Sequence, residues 1–119
     1  MTNPPTPPRS RLPHHQLVAY GVAVELLLII KAARIKDATL RDQAHRAAKS
    51  ACTNTAEGAG RYTRPDKARA FAIARGEAVE AVAALEIAEL TDDAIAGSTA
   101  KALPVADRLV ALLTGFLRR

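Results

Sequence analysis

At 119 residues, with 26 alanines, four aromatics and no tryptophan, the chain has room for one domain and not two, and the near absence of Val/Ile/Thr alternation excludes a strand-built fold. Its formal charge of +5 is unevenly placed: residues 1–75 hold 13 Lys/Arg against 5 Asp/Glu (net +8), residues 76–119 hold 4 against 7 (net −3). The single cysteine, Cys52, excludes a disulfide framework and fits a reducing cytoplasm; an inert, buried thiol is expected there.

Residues 1–12 carry four of the seven prolines among polar residues and read as a disordered leader, which leaves 13–119 as the folded domain. A first helix is predicted from about Pro13, a residue favoured in the first helical turn, to about Ile35. Leu17, Tyr20, Val24 and Leu27 form one apolar row on it, and Val18, Val22 and Ile29 a second. A helix apolar nearly all round is buried on more than one side, which points to a subunit interface. The apolar run Leu17–Ile30 is 14 residues long and contains Glu25. It is too short and too polar to span a membrane, and the acid argues against a signal peptide.

The second helix is predicted over Asp37–Glu57. Leu40, Ala44, Ala47, Ala48, Ala51, Thr55 and Ala56 recur at helical spacing on one side; Arg41, His45 and Lys49 line another, with Arg46 beside them. Gly58 is placed to take a left-handed, helix-terminating conformation, and Gly60 to turn the chain back. The third helix is predicted from Pro65-Asp66 to about Glu89, with Phe71, Ala74, Ala78, Val82 and Leu85 as its inner row. Gly76 in its middle calls for a close helix crossing. The fourth is predicted from Thr91 as cap, with Asp92 and Asp93 in the first turn, to about Arg118. Pro104 must kink or interrupt it, with a break open around Gly97–Pro104. Leu103, Ala106, Val110, Leu113, Leu117 and Val105, Leu109, Leu112, Phe116 make two neighbouring rows, one for the core and one in need of a partner. Four helices with short links make an antiparallel bundle.

Gly58-Ala59-Gly60 follows a helix and lacks the Gly-Lys-Ser/Thr of a phosphate loop, so the helix-stop reading is preferred. The three histidines have no Cys or carboxylate at metal-ligand spacing, and His14 and His15 are expected to point apart. Ser50, His45 and Glu57 lie at helical offsets that keep a nucleophile from its base, and the Glu-x-x-His spacing of di-iron bundles is absent. No catalytic residue, metal or cofactor is expected. What remains is a basic surface of Arg41, Arg46, Lys49, Arg61, Arg64, Lys67, Arg69 and Arg75, suited to phosphates without sequence readout; only Tyr62 among them offers stacking. The competing reading sets these charges, mixed with Asp37, Asp42, Glu57 and Asp66, to pairing between subunits.

Leu40, Gln43, Arg46, Ala47, Ala48, Ser50, Asn54, Ala56, Glu57, Gly58, Gly60 and Arg61 stand in register with a known pattern, Leu-x-x-Gln-x-x-Arg-Ala-Ala-x-Ser-Ile-x-x-Asn-Ile-Ala-Glu-Gly-x-Gly-Arg. On these residues the chain resembles the bacterial four helix bundle proteins, first noticed as products of intervening sequences in 23S rRNA genes. It departs at Ala51 and Thr55, where the family has larger aliphatics. The likeness continues through Phe71, Ile73-Ala74-Arg75-Gly76, Glu80 and Leu85, and Leu112-Leu113-Thr114-Gly115-Phe116 looks like the family's helix-four ending. The resemblance implies an up-down four-helix bundle assembled as a ring-like homopentamer. It also implies kinship with the accessory variability determinant of diversity-generating retroelements, a basic pentamer that binds nucleic acid and partners a reverse transcriptase. Asn54, Glu57 and Arg61 are then expected as a polar cluster locking the end of helix two. The expectation for the whole is a non-enzymatic, cytoplasmic homo-oligomer that binds nucleic acid, RNA or DNA; the alternative is a structural protein–protein interaction module.

Overall fold

The computed structural model describes residues 10–119. Across them run four α-helices: α1 (Val18–Ala32), α2 (Ala38–Gly60), α3 (Arg64–Leu90) and α4 (Ser98–Leu117). There is no strand among the described residues, as the alanine-rich composition requires. α2 packs most extensively on α3; α1 and α4 each lie against two neighbours, and α1 and α3 barely touch. The helices therefore close a cycle in chain order, with α1 and α3 on opposite sides. The leader expected over residues 1–12 falls, for residues 1–9, outside the described residues; Leu12 N–H donates to Ser10 Oγ at 3.1 Å.

Helix one is shorter than its hydrophobicity predicts. Pro13–Gln16 form a 3-10 turn, Leu17 is extended, and α1 begins at Val18. It stops at Ala32 because Arg34 adopts a left-handed backbone (φ 51°). Two backbone bonds then tie the links together: Lys36 N–H donates to Asp93 O (2.7 Å), and Ile95 N–H to Ala33 O (2.9 Å). Asp37 caps α2 by accepting from Leu40 N–H at 2.8 Å, satisfying one of the orphan donors of the first turn.

Gly58 does not terminate α2, which continues to Gly60 and leaves through an extended Arg61. Neither Gly58 nor Gly60 has a positive φ. Gly58 is instead a packing position: a Cβ there would lie 2.6 Å from the Phe71 ring. The buried face of α2 is small throughout (Ala44, Ala47, Ala48, Ala51, Thr55), and α3 answers with Ala70, Ala74, Ala78, Ala81 and Ala88. Small residues on both faces bring the two backbones close. Thr55, fully buried, donates its hydroxyl to Ala51 O at 2.7 Å. The bulk of the core comes from Leu26 and Ile30 of α1, Leu85 of α3, and Leu109 and Leu113 of α4.

α3 starts one residue before Pro65, with Thr63 as cap accepting from Asp66 N–H (3.3 Å). Its far end overturns the prediction for helix four. Thr91, Asp92 and Asp93 end α3 and do not open α4. Asp92 is left-handed (φ 60°), Asp92 N–H donates to Glu89 O and Asp93 N–H to Ala88 O, and Thr91 Oγ1 donates to Ile87 O. This is a Schellman closure with aspartate in the place usually held by glycine. α4 begins seven residues later, after Gly97 (φ 89°), and its first turn is capped from outside: Glu89 accepts from Gly97 N–H (3.1 Å) and Thr99 N–H (2.7 Å). Those two bonds hold the Glu89 carboxyl below its usual range. Pro104 lies inside α4 without interrupting it.

The two predicted rows of α4 are also redrawn. The buried line is Ala102, Ala106, Leu109, Leu113: Ala106 and Leu113 come from the first row, Leu109 from the second, and Ala102 from neither. Val105, Val110, Leu112, Phe116 and Leu117 pack half-buried against the same core, and Leu103 alone of those rows is exposed.

Candidate nucleic-acid interface

The eight predicted phosphate-binding cations follow from where the helices place them. Residues 45 and 61 are separated by 16 positions, roughly 24 Å along a helix axis, so the set divides into two regions and does not form one surface. The first lies on the amino-terminal half of α2. His45 there is half-buried, its Nε2 has no partner, and burial with the nearby Lys49, Lys31 and Arg41 charges pushes its pKa down, opposed only by Asp42. A shallow hollow beside it is lined by Thr39, Asp42, Gln43, His45, Arg46 and Lys49. Arg46 is turned toward α3, where it pairs with Glu80 at 3.6 Å. Arg41 reaches back to Lys36 O at the long distance of 3.5 Å.

The second region lies where α2 ends and α3 begins. Arg61 pairs with Glu57 one turn earlier, and that carboxylate raises its pKa. Lys67 is committed to the fold: its ammonium donates to Gly58 O (3.2 Å) and Ala59 O (2.9 Å), completing the end of α2. Arg75 leaves the region; its Nε donates to Thr114 Oγ1 (2.9 Å) and pins α3 to α4. Lys49, Arg64 and Arg69 form no hydrogen bond or ion pair among the described residues. Sequence reasoning missed Arg119 of α4's exit, which lies over the Phe116 ring at 5.3 Å and shares a cleft with Tyr62, Arg64 and Lys67. Only the tertiary fold brings residues 62–67 and 119 together. Tyr62 is fully exposed.

The polar cluster expected at Asn54, Glu57 and Arg61 divides as well. Asn54 Nδ2 donates to Ser50 O (2.9 Å) and Ser50 Oγ (3.0 Å), within the helix, while Glu57 faces Arg61. Cys52 is buried, and desolvation pushes its thiol up to about 11, far from a thiolate at neutral pH. The His14 and His15 rings do not point apart: their centroids are 4.1 Å apart, and His14 meets Tyr20 edge-on at 4.7 Å. Among the described residues no group of His, Cys, Asp and Glu is arranged to hold a metal, and no helix is long and apolar enough to cross a membrane.

Comparison with known proteins adds one finding. No curated protein matches the chain at a significant level. A family model described as 23S rRNA-intervening sequence protein matches residues 17–115, from the residue before α1 to the last turn of α4. By that match over most of its length, the chain belongs to the 23S rRNA-intervening sequence protein family.

Proposed function

We propose that this protein is a non-catalytic, self-associating helical bundle that binds nucleic acid, RNA in the first instance, and serves as an accessory subunit to a nucleic-acid enzyme such as a reverse transcriptase. The observation that carries the binding is the set Lys49, Arg64 and Arg69: three cations of α2 and α3 with no duty inside the fold. Cations held at a surface without carboxylate partners gain most from phosphates, by displacing the counterions of the nucleic acid. Arg41, Arg46 and Arg61, whose only pairings are exposed, extend the surface, whereas Lys67 and Arg75 act chiefly within the fold. The family name and the resemblance to retroelement accessory proteins support the partner class. An up-down order of helices is supported by the backbone bonds between the α1–α2 and α3–α4 links, and a ring-like homopentamer by the resemblance. Such a protein works in the cytoplasm.

Binding of labelled RNA and DNA across a salt series tests this. Affinity should fall steeply with salt, and the combined Lys49→Ala, Arg64→Ala, Arg69→Ala variant should lower the slope of log K against log salt by about three. No binding even at low salt would leave the structural interaction module as the better reading.

A further inference from the structure

The chain has only four Tyr and Phe residues, and three of them meet at one place. Tyr62, Phe71 and Phe116 line the cleft between the α2–α3 link and the end of α4, together with Arg64, Lys67 and Arg119. Phe71 is buried and Phe116 half-buried, with ring centroids 4.8 Å apart. The Arg119 guanidinium lies 5.3 Å from the Phe116 centroid, a cation–π distance that extends the flat surface beyond the ring. Tyr62 is 100% exposed, so its ring packs on nothing in the fold. Among the described residues lining the cleft, none is Asp or Glu. Arg64 has no partner among the described residues, and Lys67 uses two of its three N–H groups on Gly58 O and Ala59 O. The neighbouring hollow at Glu57, Arg61, Asp66 and Arg69 sets two acids against two cations, and that on α2 contains Asp42 and no Tyr or Phe. Aromatic faces and uncompensated cations thus coincide at the Tyr62 cleft. Its volume is about 270 Å³, below the ~300 Å³ at which pockets for whole small molecules begin. That size suits a surface that takes a base or two of a longer chain.

We propose that this cleft binds an unpaired nucleotide of a single strand. The base stacks on Tyr62 and on the Arg119 guanidinium, and the flanking phosphates lie against Arg64 and Lys67. This rests on the nucleic-acid binding read above and names the form of nucleic acid that the α2–α3 corner takes. A duplex hides its base faces against one another, so cations alone would serve to hold it. Only an unpaired base can offer a face to an exposed ring or to a guanidinium plane. Every base has such a face, so the selection is for strandedness and not for sequence. The sequence offered Tyr62 as the one stacking residue; the fold adds Phe116 and Arg119 from the far end of the chain.

The test is the affinity of the full chain for a uridine oligonucleotide, alone and annealed to its adenosine complement, across a salt series. Wild type is compared with Tyr62→Ala, Tyr62→Phe and Arg119→Ala, with helical content checked on each. Tyr62 buries nothing and Arg119 is exposed, so each variant should fold. Tyr62→Ala should lower the ratio of single-strand to duplex affinity by roughly 5- to 150-fold, the loss of one stacked base. Tyr62→Phe, which keeps the ring, should hold the wild-type ratio. Arg119→Ala should reduce the single-strand slope of log K against log salt by roughly 0.7. A wild-type ratio in Tyr62→Ala, or an equal loss in Tyr62→Phe, would overturn the stacking site. Steep salt dependence in those same titrations would leave the phosphate-binding surface standing. No binding of either form at low salt would overturn both.

Discussion

Gly58 and Gly76 are both helical glycines, yet their surroundings give them opposite consequences. At Gly58 a methyl group would run into Phe71, and overpacking a tight core costs about 1–3 kcal/mol, against about 1 kcal/mol gained in helix propensity. Gly58→Ala is therefore expected to lower stability by about 0–2 kcal/mol, read from the shift in a urea melt. Gly76→Ala, open to solvent, should stabilise the chain by about 1 kcal/mol. His45 makes a prediction in pH. Burial and its neighbours Lys49, Lys31 and Arg41 hold its folded pKa below the ordinary value of about 6.5. Between the two values the unfolded chain binds a proton that the folded chain refuses. Stability should thus be flat above that window and fall as pH drops through it. Urea midpoints from pH 8 to 5 for wild type and His45→Gln would show the slope lost in the variant. Nucleic acid bound at this patch would reverse the effect, since phosphates favour the charged ring.

Where a helix begins and ends was the least legible feature, and the α3–α4 link shows why. Thr-Asp-Asp has the composition of a helix start, but an aspartate in the left-handed region and a threonine hydroxyl returning to the previous turn make it a helix end. The acid that serves α4 is Glu89, eight and ten residues before the amides it accepts from, a spacing no local capping pattern reports. Its depressed folded pKa contributes stability that is present above the ordinary carboxylate value of about 4.3 and is lost as pH falls through the folded value. Glu89→Gln should flatten that acid-side loss, as followed by thermal melts between pH 6 and 3. Pro104 stands within α4 on its exposed side and removes one helical hydrogen bond. Pro104→Ala should raise stability by about 1–3 kcal/mol, a gain reduced by the greater freedom of the unfolded chain.

Taken as a whole, the molecule uses its positive charge in two ways. Lys67 and Arg75 finish a helix end or hold helices to one another, and Lys49, Arg64 and Arg69 face outward without a partner among the described residues. Alanine at Lys67 should therefore lower the melting temperature, by loss of the bonds to Gly58 O and Ala59 O, more than alanine at Lys49, while both reduce net charge equally. A sequence shows that eight cations lie on two helices and the link between them but not which of them a carbonyl or carboxylate already holds. The apolar surplus follows the same pattern. A surplus on α1 was legible because the helix is apolar nearly all round, but not that Val18 and Leu28 would carry it; the exposed Ile73, Val79, Ile87 and Leu90 of α3 lay outside its predicted inner row.

From the sequence alone, three things were determined: an all-helical chain, the inner rows of α2 and α3, and membership signals in residues 40–61. These depend on local propensity and periodicity, which act over one or two turns. The tertiary structure decided the rest, including Gly58 as a packing site, the borrowed cap at Glu89, the division of the basic set, and the cleft that joins Tyr62 to Arg119. Each of those is set by which helix lies alongside, a relation between residues far apart in the chain that no local pattern encodes.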